Sequence, residues 1–340
     1  MSQSKIRIAV TGAGGGVGQS IIKALHGTDY EVVALDGEVL GAGLYATSRS
    51  HVIPYANSPK FIYKLLEICK TEDCKLLFPG LDAELPALSK AAKQFEDVGT
   101  HVVISSPDVI AQSDDKLKTY EILNKNGLAV PHTVDMSEVV DEGATLPIYP
   151  FILKKREGGA RSKDTYLIKD EKSFKNVSQS RINLSEFVAQ EYIDGDEYTC
   201  GTVNLDGDCQ GVIVMRRILR DGDTYKCFSV KNEAIESYVR KIMAIIKPFG
   251  ACNVQLRLKN NQPYAFEINA RCSGTTAARA LCGFNEPKMI ADYLLFKKKP
   301  EFNIVEQTVL RYWKELVVGN STVTELEKTG AISNNSPVPL

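Results

Sequence analysis

The sequence predicts an α/β protein of two or three packed units, and three observations indicate this fold class. Apolar strand patterns alternate with helical patterns over the first 112 residues, as in a doubly wound parallel sheet with helices on both faces. A glycine-rich turn joins the first strand to the first helix. The chain has 340 residues, which is more than one ordinary hydrophobic core organises. We therefore expect a Rossmann-like N-terminal domain followed by an α+β part.

Composition and charge are typical of a soluble globular protein. Hydrophobic residues make up 44% and charged residues 24% of the chain, and 41 basic residues are balanced by 42 acidic ones, so we expect neither a nucleic-acid nor a membrane partner. No apolar run approaches the ~18 residues of a membrane helix, and the N-terminus starts with a strand pattern instead of a signal peptide. The eight cysteines lack C-x-x-C spacing, and the four histidines lack zinc-ligand spacing. These features predict a cytoplasmic protein with reduced thiols.

The first strand, turn and helix have the sequence "IRIAVTGAGGGVGQSIIKAL". The turn is not a phosphate-binding P-loop, because no Lys-Ser or Lys-Thr follows it, and Val17 interrupts the strict G-x-G-x-x-G pattern. Asp36 nevertheless ends the second strand, where a dinucleotide-binding fold keeps its ribose carboxylate. Two interpretations remain open: a bound dinucleotide, or a scaffold in which the glycines serve the turn and the helix packing.

Two carboxylates follow the buried strand pattern "KLLFPG". Asp82 and Glu84 lie in the loop after this strand, and ligands of parallel sheets bind beyond the carboxyl ends of the strands. The pair is expected either to hold a substrate amine or to begin the next helix, where acidic residues are favoured.

The stretch "NVQLRLKNNQPYAFEINAR", from Asn253 to Arg271, alternates apolar and polar residues on both sides of a turn. A hairpin with this pattern places Phe266 and Ile268 on the core side and brings a set of oxygen donors together beside Arg271. Oxygen donors of this kind suit Mg²⁺ that shares its ligands with phosphates. The alternative is a half-exposed hairpin whose outer face is simply polar. The oxygen donors are Gln255, Glu267 and Asn269.

On these residues the chain resembles the ATP-grasp superfamily, most closely the ATP-binding halves of the carbamoyl phosphate synthetase large chain. One departure is Ala270, where that family commonly has proline. The resemblance implies that Gln255, Glu267 and Asn269 hold Mg²⁺, for which Mn²⁺ can substitute. It also implies that Arg271 is catalytic and contacts the substrate or the transferred phosphate.

The resemblance extends to the residues that bind ATP. Lys116, at the start of a predicted helix, matches a lysine that touches nucleotide phosphate, although taken alone it is an ordinary surface residue. Lys154 matches a catalytic cation at the end of a strand that reaches the phosphates. The loop that follows would close over the phosphates through its backbone N–H groups. Its cations either assist this closure or form a solvated turn. The loop glycines are Gly158 and Gly159, and the loop cations are Arg161 and Lys163.

The segment "EFVAQEYIDGDEYTCGTVNLDGDCQGVIVMRRI" predicts three strands separated by "DG" turns. Its opening resembles the hinge of the family, whose backbone binds adenine and whose next acidic residue, here Glu197, binds ribose. Arg217 and its neighbours at the end of the third strand are either contacts for an acceptor substrate or an exposed basic turn. The hinge residues are Glu191, Tyr192 and Ile193.

From these patterns we predict four parts. They are a Rossmann-like domain (1–112), an ATP-grasp small lobe with a glycine-containing lid loop (113–195), an ATP-grasp large lobe with the metal site (196–300) and a C-terminal extension (301–340). The last residues, "ISNNSPVPL", are expected to be a loose tail.

The resemblance implies an ATP-dependent carboxylate–amine ligase that forms an acyl phosphate from amino-acid-like small molecules, with ATP and Mg²⁺ as cofactors, and it is compatible with a homodimer. One alternative is an enzyme that forms carboxyphosphate or carbamoyl phosphate, although we expect this less for a half-size chain without a glutaminase. The other is a non-catalytic regulator that binds NAD or ATP. Retention of the six matched polar residues together argues against a pure scaffold.

Overall fold

A computed structural model describes residues 5–142, 145–158, 164–180, 182–312, 314–333, 336–337 and 340. The first unit is a doubly wound sheet, as predicted: β1 pairs in parallel with two neighbouring strands, and helices cover both faces. Its elements are β1 (Ile6–Val10), α1 (Gly16–Leu25), β2 (Tyr30–Asp36), α2 (Ala42–Tyr45), β3 (Arg49–Val52), α3 (Phe61–Thr71), β4 (Leu76–Phe78), α4 (Leu85–Glu96) and β5 (His101–Val102).

Burial on both faces explains why β1, β2 and β4 are mostly apolar. In β1, Ile8 and Val10 pack into one hydrophobic cluster, and Ala9 packs into another on the opposite face. Val33 of β2 joins the cluster of Ala9. Side chains that alternate between two cores leave no position for a solvent-facing residue, which is the signature of a parallel sheet covered by helices.

A small antiparallel lobe follows two connecting helices. Its four strands run in the order β6, β9, β7, β8 around a separate core that includes Phe151, Leu153 and Phe187. The helix predicted to start at Lys116 is confirmed, and Asp115 caps its first turn. The elements are α5 (Pro107–Asp114), α6 (Lys116–Lys125), β6 (Thr133–Asp135), α7 (Met136–Glu142), β7 (Phe151–Lys155), β8 (Thr165–Ile168), α8 (Glu171–Ser178) and β9 (Phe187–Glu191).

The large lobe is a six-stranded antiparallel sheet in the order β14, β13, β10, β11, β12, β15. One face packs on α9, and the other shares a continuous core with the first unit. The "DG" turns at 206–207 and 221–222 have positive φ at both residues, as tight hairpins require. The elements are β10 (Asp196–Leu205), β11 (Asp208–Arg220), β12 (Asp223–Ser229), α9 (Glu233–Ile246), β13 (Gly250–Lys259), β14 (Gln262–Asn269), α10 (Thr276–Leu281), α11 (Glu286–Phe296), β15 (Thr308–Leu310), α12 (Asn320–Thr329) and β16 (Ala331–Ser333).

The predicted β13–β14 hairpin is confirmed, with one correction. Gln255 lies opposite Glu267, but the next pair is Leu256 with Ala265, so Phe266 is an extra residue in a β-bulge. The prediction that Phe266 faces the core is therefore wrong. Ala265 takes the core position, and the Phe266 ring lies on the polar side of the sheet, in the wall of a cavity described below.

The C-terminal segment is tied to both larger sheets. β15 extends the large-lobe sheet by pairing with β12, and β16 pairs antiparallel with β3 of the first unit. Ile332 is 4% exposed and Ser333 pairs with Arg49, so the prediction of a loose tail is wrong for these first two residues of the tail. Residues 334–335 and 338–339 of the predicted tail lie outside the described residues. Among the helices of the described ranges, none is long and apolar enough to span a membrane.

Shortening the buried side chain of β16 tests this attachment. Ile332→Ala should lower the free energy of unfolding by about 2–4 kcal/mol, because it leaves a cavity where the strand packs on the first unit. Urea denaturation measures the change. Ile148→Ala is the matched control, since Ile148 is 91% exposed, and it should change the free energy of unfolding by less than about 0.5 kcal/mol. Equal effects of the two substitutions would show that β16 is not docked.

Candidate active site

Two cavities meet at the polar side of the β13–β14 hairpin. The interlobe cavity, of about 250 Å³, lies between the small and large lobes and reaches Lys154, Ile193 and Phe266. The glycine-loop cavity, of about 530 Å³, lies between the large lobe and the first unit and reaches Gly15 and Asp82. Five residues line both cavities, so the boundary between them is a shared wall. These residues are Lys116, Arg217, Gly222, Gln255 and Glu267.

The three predicted oxygen donors converge on this wall. The Gln255 amide donates a hydrogen bond to Glu267 Oε1 at 3.0 Å, and the Asn269 amide donates to the same oxygen at 2.9 Å. The two amide oxygens accept from arginines: Gln255 Oε1 from Arg217 Nη2 at 2.5 Å, and Asn269 Oδ1 from Arg271 Nη2 at 3.4 Å. One carboxylate and two amide oxygens therefore lie within a single hydrogen-bonded group.

The chemistry of this donor set fits a hard divalent cation. Mg²⁺ prefers oxygen ligands and is commonly held by one or two carboxylates together with substrate phosphates. Glu267 supplies the carboxylate, and Gln255 and Asn269 can supply amide oxygens. The described ranges contain no group of three or more His, Cys, Asp or Glu side chains that could hold a metal, and the donor set of the hairpin includes one such side chain. Its fit to magnesium therefore rests on the combination of one carboxylate with two amide oxygens.

Two lysines lie at or beside this wall. Lys154, at the end of β7, is 6% exposed, donates from Nζ to the Phe266 carbonyl at 3.0 Å, and lies 5.4 Å from the centre of the Phe266 ring. Burial lowers the pKa of Lys154 to about 7. Lys116, at the start of α6, donates from Nζ to the Gly158 carbonyl at 2.8 Å. The rest of the predicted lid loop, including Gly159, Arg161 and Lys163, lies outside the described residues.

The predicted hinge borders the interlobe cavity where β9 ends. Glu191, Tyr192 and Ile193 all line the cavity. Glu197, at the start of β10, also lines it and accepts from Arg217 at 2.6 Å and from Arg257 at 2.9 Å. These two ion pairs hold the carboxylate of Glu197 in one position.

Arg257 and Phe266 are cavity residues that the sequence analysis missed. Arg257 donates to the Ile193 carbonyl at 3.2 Å, and its guanidinium lies 5.0 Å from the centre of the Tyr192 ring. Its position in the alternation with Gln255 is a signal that could have identified it. The sequence analysis missed Phe266 because strict alternation assigns it to the core, and the β-bulge changes its direction.

The glycine-loop cavity contains a paired carboxylate and guanidinium. Arg271 donates from Nε and Nη2 to the two oxygens of Asp82, both at 2.7 Å. Desolvation opposes ionisation of Asp82, but the Arg271 guanidinium holds its pKa below the ordinary value. Glu84 lies elsewhere: it is 2% exposed and accepts from the Thr11 hydroxyl at 2.5 Å. Because its side chain packs inside the first unit, we do not assign Glu84 to substrate.

The carboxylate of Asp36 is engaged by the glycine turn itself. It accepts from the backbone N–H groups of Gly14 at 2.6 Å and Glu38 at 2.8 Å. The next two glycines, Gly15 and Gly16, line the glycine-loop cavity. The turn therefore opens toward the same space as Asp82 and Arg271. Because backbone N–H groups already occupy the Asp36 carboxylate that a ribose would need, the scaffold interpretation is favoured over a dinucleotide site.

Two family models match the chain. The model described as "ATP-grasp in the biosynthetic pathway with Ter operon" matches residues 183–315, and the model described as "PylC-like, N-terminal domain" matches residues 8–103. By these matches, residues 183–315 are similar to an ATP-grasp domain. More particularly, they lie behind residues 8–103, which are similar to a PylC-like N-terminal domain. The resemblance predicted from the sequence is confirmed.

Individual relatives agree with these models. The carbamoyl phosphate synthase large chain of Pseudomonas putida is 22% identical over 305 residues, which cover 81% of this chain but 28% of that relative. A probable alpha-L-glutamate ligase of Stenotrophomonas maltophilia is 25% identical over 240 residues, which cover 66% of this chain and 80% of the relative. Among solved structures, N5-carboxyaminoimidazole synthetase from Staphylococcus aureus complexed with ADP has a TM-score of 0.67 at 18% identity, covering 97% of this chain and 99% of that one.

The buried lysine makes stability depend on pH. The pKa of Lys154 is about 7 in the folded chain and ordinarily 10.5, so between these pH values the unfolded state binds more protons. The free energy of unfolding should therefore contain a part that rises with pH through this window. Urea unfolding across the window should give a smaller rise for Lys154→Met than for the wild type.

Lys155→Met is the matched control for this prediction. Lys155 is the next residue of β7, and its side chain is 37% exposed. This variant should keep the pH dependence of the wild type. A rise that is the same in Lys154→Met and in the wild type would contradict a neutral buried amine at position 154.

Proposed function

We propose that this protein is an ATP-dependent carboxylate–amine ligase that converts ATP to ADP and phosphate. The observation that carries the proposal is the shared wall of the two cavities, at Gln255 and Glu267. A nucleotide in the interlobe cavity would place its terminal phosphate at this wall. A carboxylate in the glycine-loop cavity would approach the same phosphorus from the other side, as in-line transfer requires.

The interlobe cavity has the groups that a nucleotide needs. Backbone groups at Glu191, Tyr192 and Ile193 would bind adenine, and the Glu197 carboxylate would accept from the ribose hydroxyls. The phosphates would be neutralised by cations at the inner end of the cavity and covered by the lid loop. The residues assigned to the phosphates are Lys116, Lys154, Gly158 and Gly159.

Gln255, Glu267 and Asn269 would hold Mg²⁺, or Mn²⁺ in its place, at the shared wall. When bound, the ion neutralises charge on the transferring phosphoryl group. Lys154 contributes here as well. The negative charge of a bound polyphosphate would raise the pKa of its amine and so favour the protonated form. In this proposal the chain supplies orientation and charge, and it needs no side-chain nucleophile.

The reaction has two steps. A carboxylate oxygen attacks the γ-phosphorus, the bond to ADP breaks, and an acyl phosphate forms. An amine then attacks the carbonyl carbon, phosphate leaves, and the amine proton is lost, which gives an amide. Arg271 would stabilise first the phosphoryl group and then the tetrahedral oxyanion. Asp82 would orient the amine, and Arg217 would contact the acceptor at the wall.

Two further points belong to this proposal. Amino-acid-like substrates are supported by the similarity to a glutamate ligase. A cytoplasmic location is supported by the state of the eight cysteines, which are all free and of which seven are buried.

A second candidate is formation of carboxyphosphate from bicarbonate. It is favoured by the similarity to the carbamoyl phosphate synthase large chain, which extends over 81% of this chain. A phosphate-release screen with ATP, Mg²⁺ and pooled amino acids separates the two candidates. Release that requires two added compounds supports the ligase, and release with bicarbonate alone supports the second candidate. Absence of release under all conditions would overturn both.

The metal assignment is tested by Glu267→Gln. This substitution keeps the shape of the side chain but removes its charge, so kcat should fall at least about 100-fold while the free energy of unfolding changes little. Phosphate release and urea denaturation measure the two effects. Glu236→Gln on α9, whose side chain is 44% exposed, is the control and should keep full activity. Unchanged turnover by Glu267→Gln would remove the metal site from this hairpin.

A further inference from the structure

The C-terminal segment contributes an arginine to the glycine-loop cavity. Arg311 directly follows β15 and lines the cavity together with Arg217 and Arg271. Its backbone N–H donates to the Tyr225 carbonyl at 3.1 Å, and its Nη1 donates to the Thr224 carbonyl at 2.9 Å. Both partners lie on β12, so the pairing of β15 with β12 holds Arg311 at the rim of the large lobe.

Arg311 differs from the other guanidinium groups of the cavity in its partners. Arg217 is paired with Glu197 at 2.6 Å, and Arg271 is paired with Asp82 at 2.7 Å. Within the part of the chain that the structure describes, Arg311 has no carboxylate at ion-pair distance, and its side chain donates to a backbone carbonyl instead. Its positive charge is therefore available to an anionic ligand.

One group in the cavity wall and one near Arg311 add to the positive potential. The first turn of α1 begins at Gly16 in the cavity wall without a side-chain cap, and the N-terminus of a helix carries partial positive charge. Burial and then the charges of Arg311 and Lys314 lower the pKa of Lys23 on α1. An anion bound at Arg311 would relieve this repulsion.

The same cavity also contains an anionic group that can receive an amine. Asp82 uses one acceptor site on each oxygen for Arg271, and an ionised carboxylate has about four such sites. A ligand with one anionic and one cationic or amine group therefore has a partner for each. Free amino acids have this combination of groups.

We propose that Arg311 binds the carboxylate of an amino-acid substrate whose amine lies toward Asp82. The inference rests on the proposed function, in which this cavity receives the acceptor. It names the substrate class and a specificity-determining residue outside the predicted ATP-grasp lobes. Because Arg311 is exposed at the cavity rim, its removal should weaken binding of the acceptor without disturbing the nucleotide or the fold.

Saturation-transfer NMR tests this with the full chain, Mg²⁺, a non-hydrolysable ATP analogue and a mixture of the common amino acids. The wild type should bind at least one amino acid, and it should bind the α-carboxamide of that compound about tenfold or more weakly, because the carboxamide lacks the charge that Arg311 recognises. Arg311→Ala should bind the amino acid about tenfold more weakly and the ATP analogue equally well.

Arg220→Ala is the matched control. Arg220 lies on the same sheet, stacks on Tyr225 with 5.2 Å to the ring centre, and lines neither cavity. It should bind the amino acid as the wild type does. The inference is overturned if no amino acid binds to the wild type, if Arg311→Ala binds it equally well, or if binding of the ATP analogue falls to the same extent.

Phosphate release separates this inference from the proposed function. A chain that binds an amino acid through Arg311 but never hydrolyses ATP would overturn the ligase and leave the binding site standing. If the wild type and Arg311→Ala join two substrates with equal efficiency, the ligase function would be supported. Arg311 would then have no role in binding the substrate.

Discussion

The register between β13 and β14 is the constraint on which the rest of the site depends. Gln255 lies opposite Glu267, and Asn253 lies opposite Asn269, so the oxygen donors share one side of the sheet. A slip of one residue would turn all of them into the core. Hydrogen bonds from two amides to one oxygen of Glu267, at 3.0 and 2.9 Å, hold the group together. The shared wall therefore depends on the register of β13 with β14.

A buried ion pair between α10 and α11 supports the neighbouring pairing of β10 with β13. Arg279 and Glu286 are both 0% exposed and lie 2.7 Å apart, and Arg279 also donates to Thr199 of β10 and to Asn253 of β13. An isolated buried charge is very unfavourable, so this arrangement is stable only when its partners are in place. A Cβ at Gly201 would collide with Arg279, which explains a glycine in the middle of β10. The network thus cross-links two strands beneath the cavities.

Some features could be predicted from the sequence and others could not. The difference depends on how far apart in the chain the interacting residues are. Local periodicity was sufficient for the alternating first unit, for α6 and for the hairpin, because each depends on neighbouring residues. The bulge at Phe266 breaks that periodicity. The pairing of β16 with β3 joins residues far apart in the chain, which no local pattern records. Glu84 has the right position in sequence, but its carboxylate turns inward to Thr11 because only the tertiary packing decides its direction.

The arginines near the shared wall are paired with carboxylates, whereas Arg311 at the rim is not. We relate this difference to two roles: stabilising the reaction at the wall and selecting the substrate at the rim. Around the shared wall, each guanidinium already has a carboxylate: Arg217 has Glu197, and Arg271 has Asp82. Such pairs are preorganised, so they can stabilise charge that develops in a reaction without first reorienting. At the rim, Arg311 directly follows β15 of the large-lobe sheet, and its Nη1 donates to a backbone carbonyl. A group fixed in this way retains its charge for a ligand, so variation at this edge of the sheet can change the substrate while leaving the reacting centre intact.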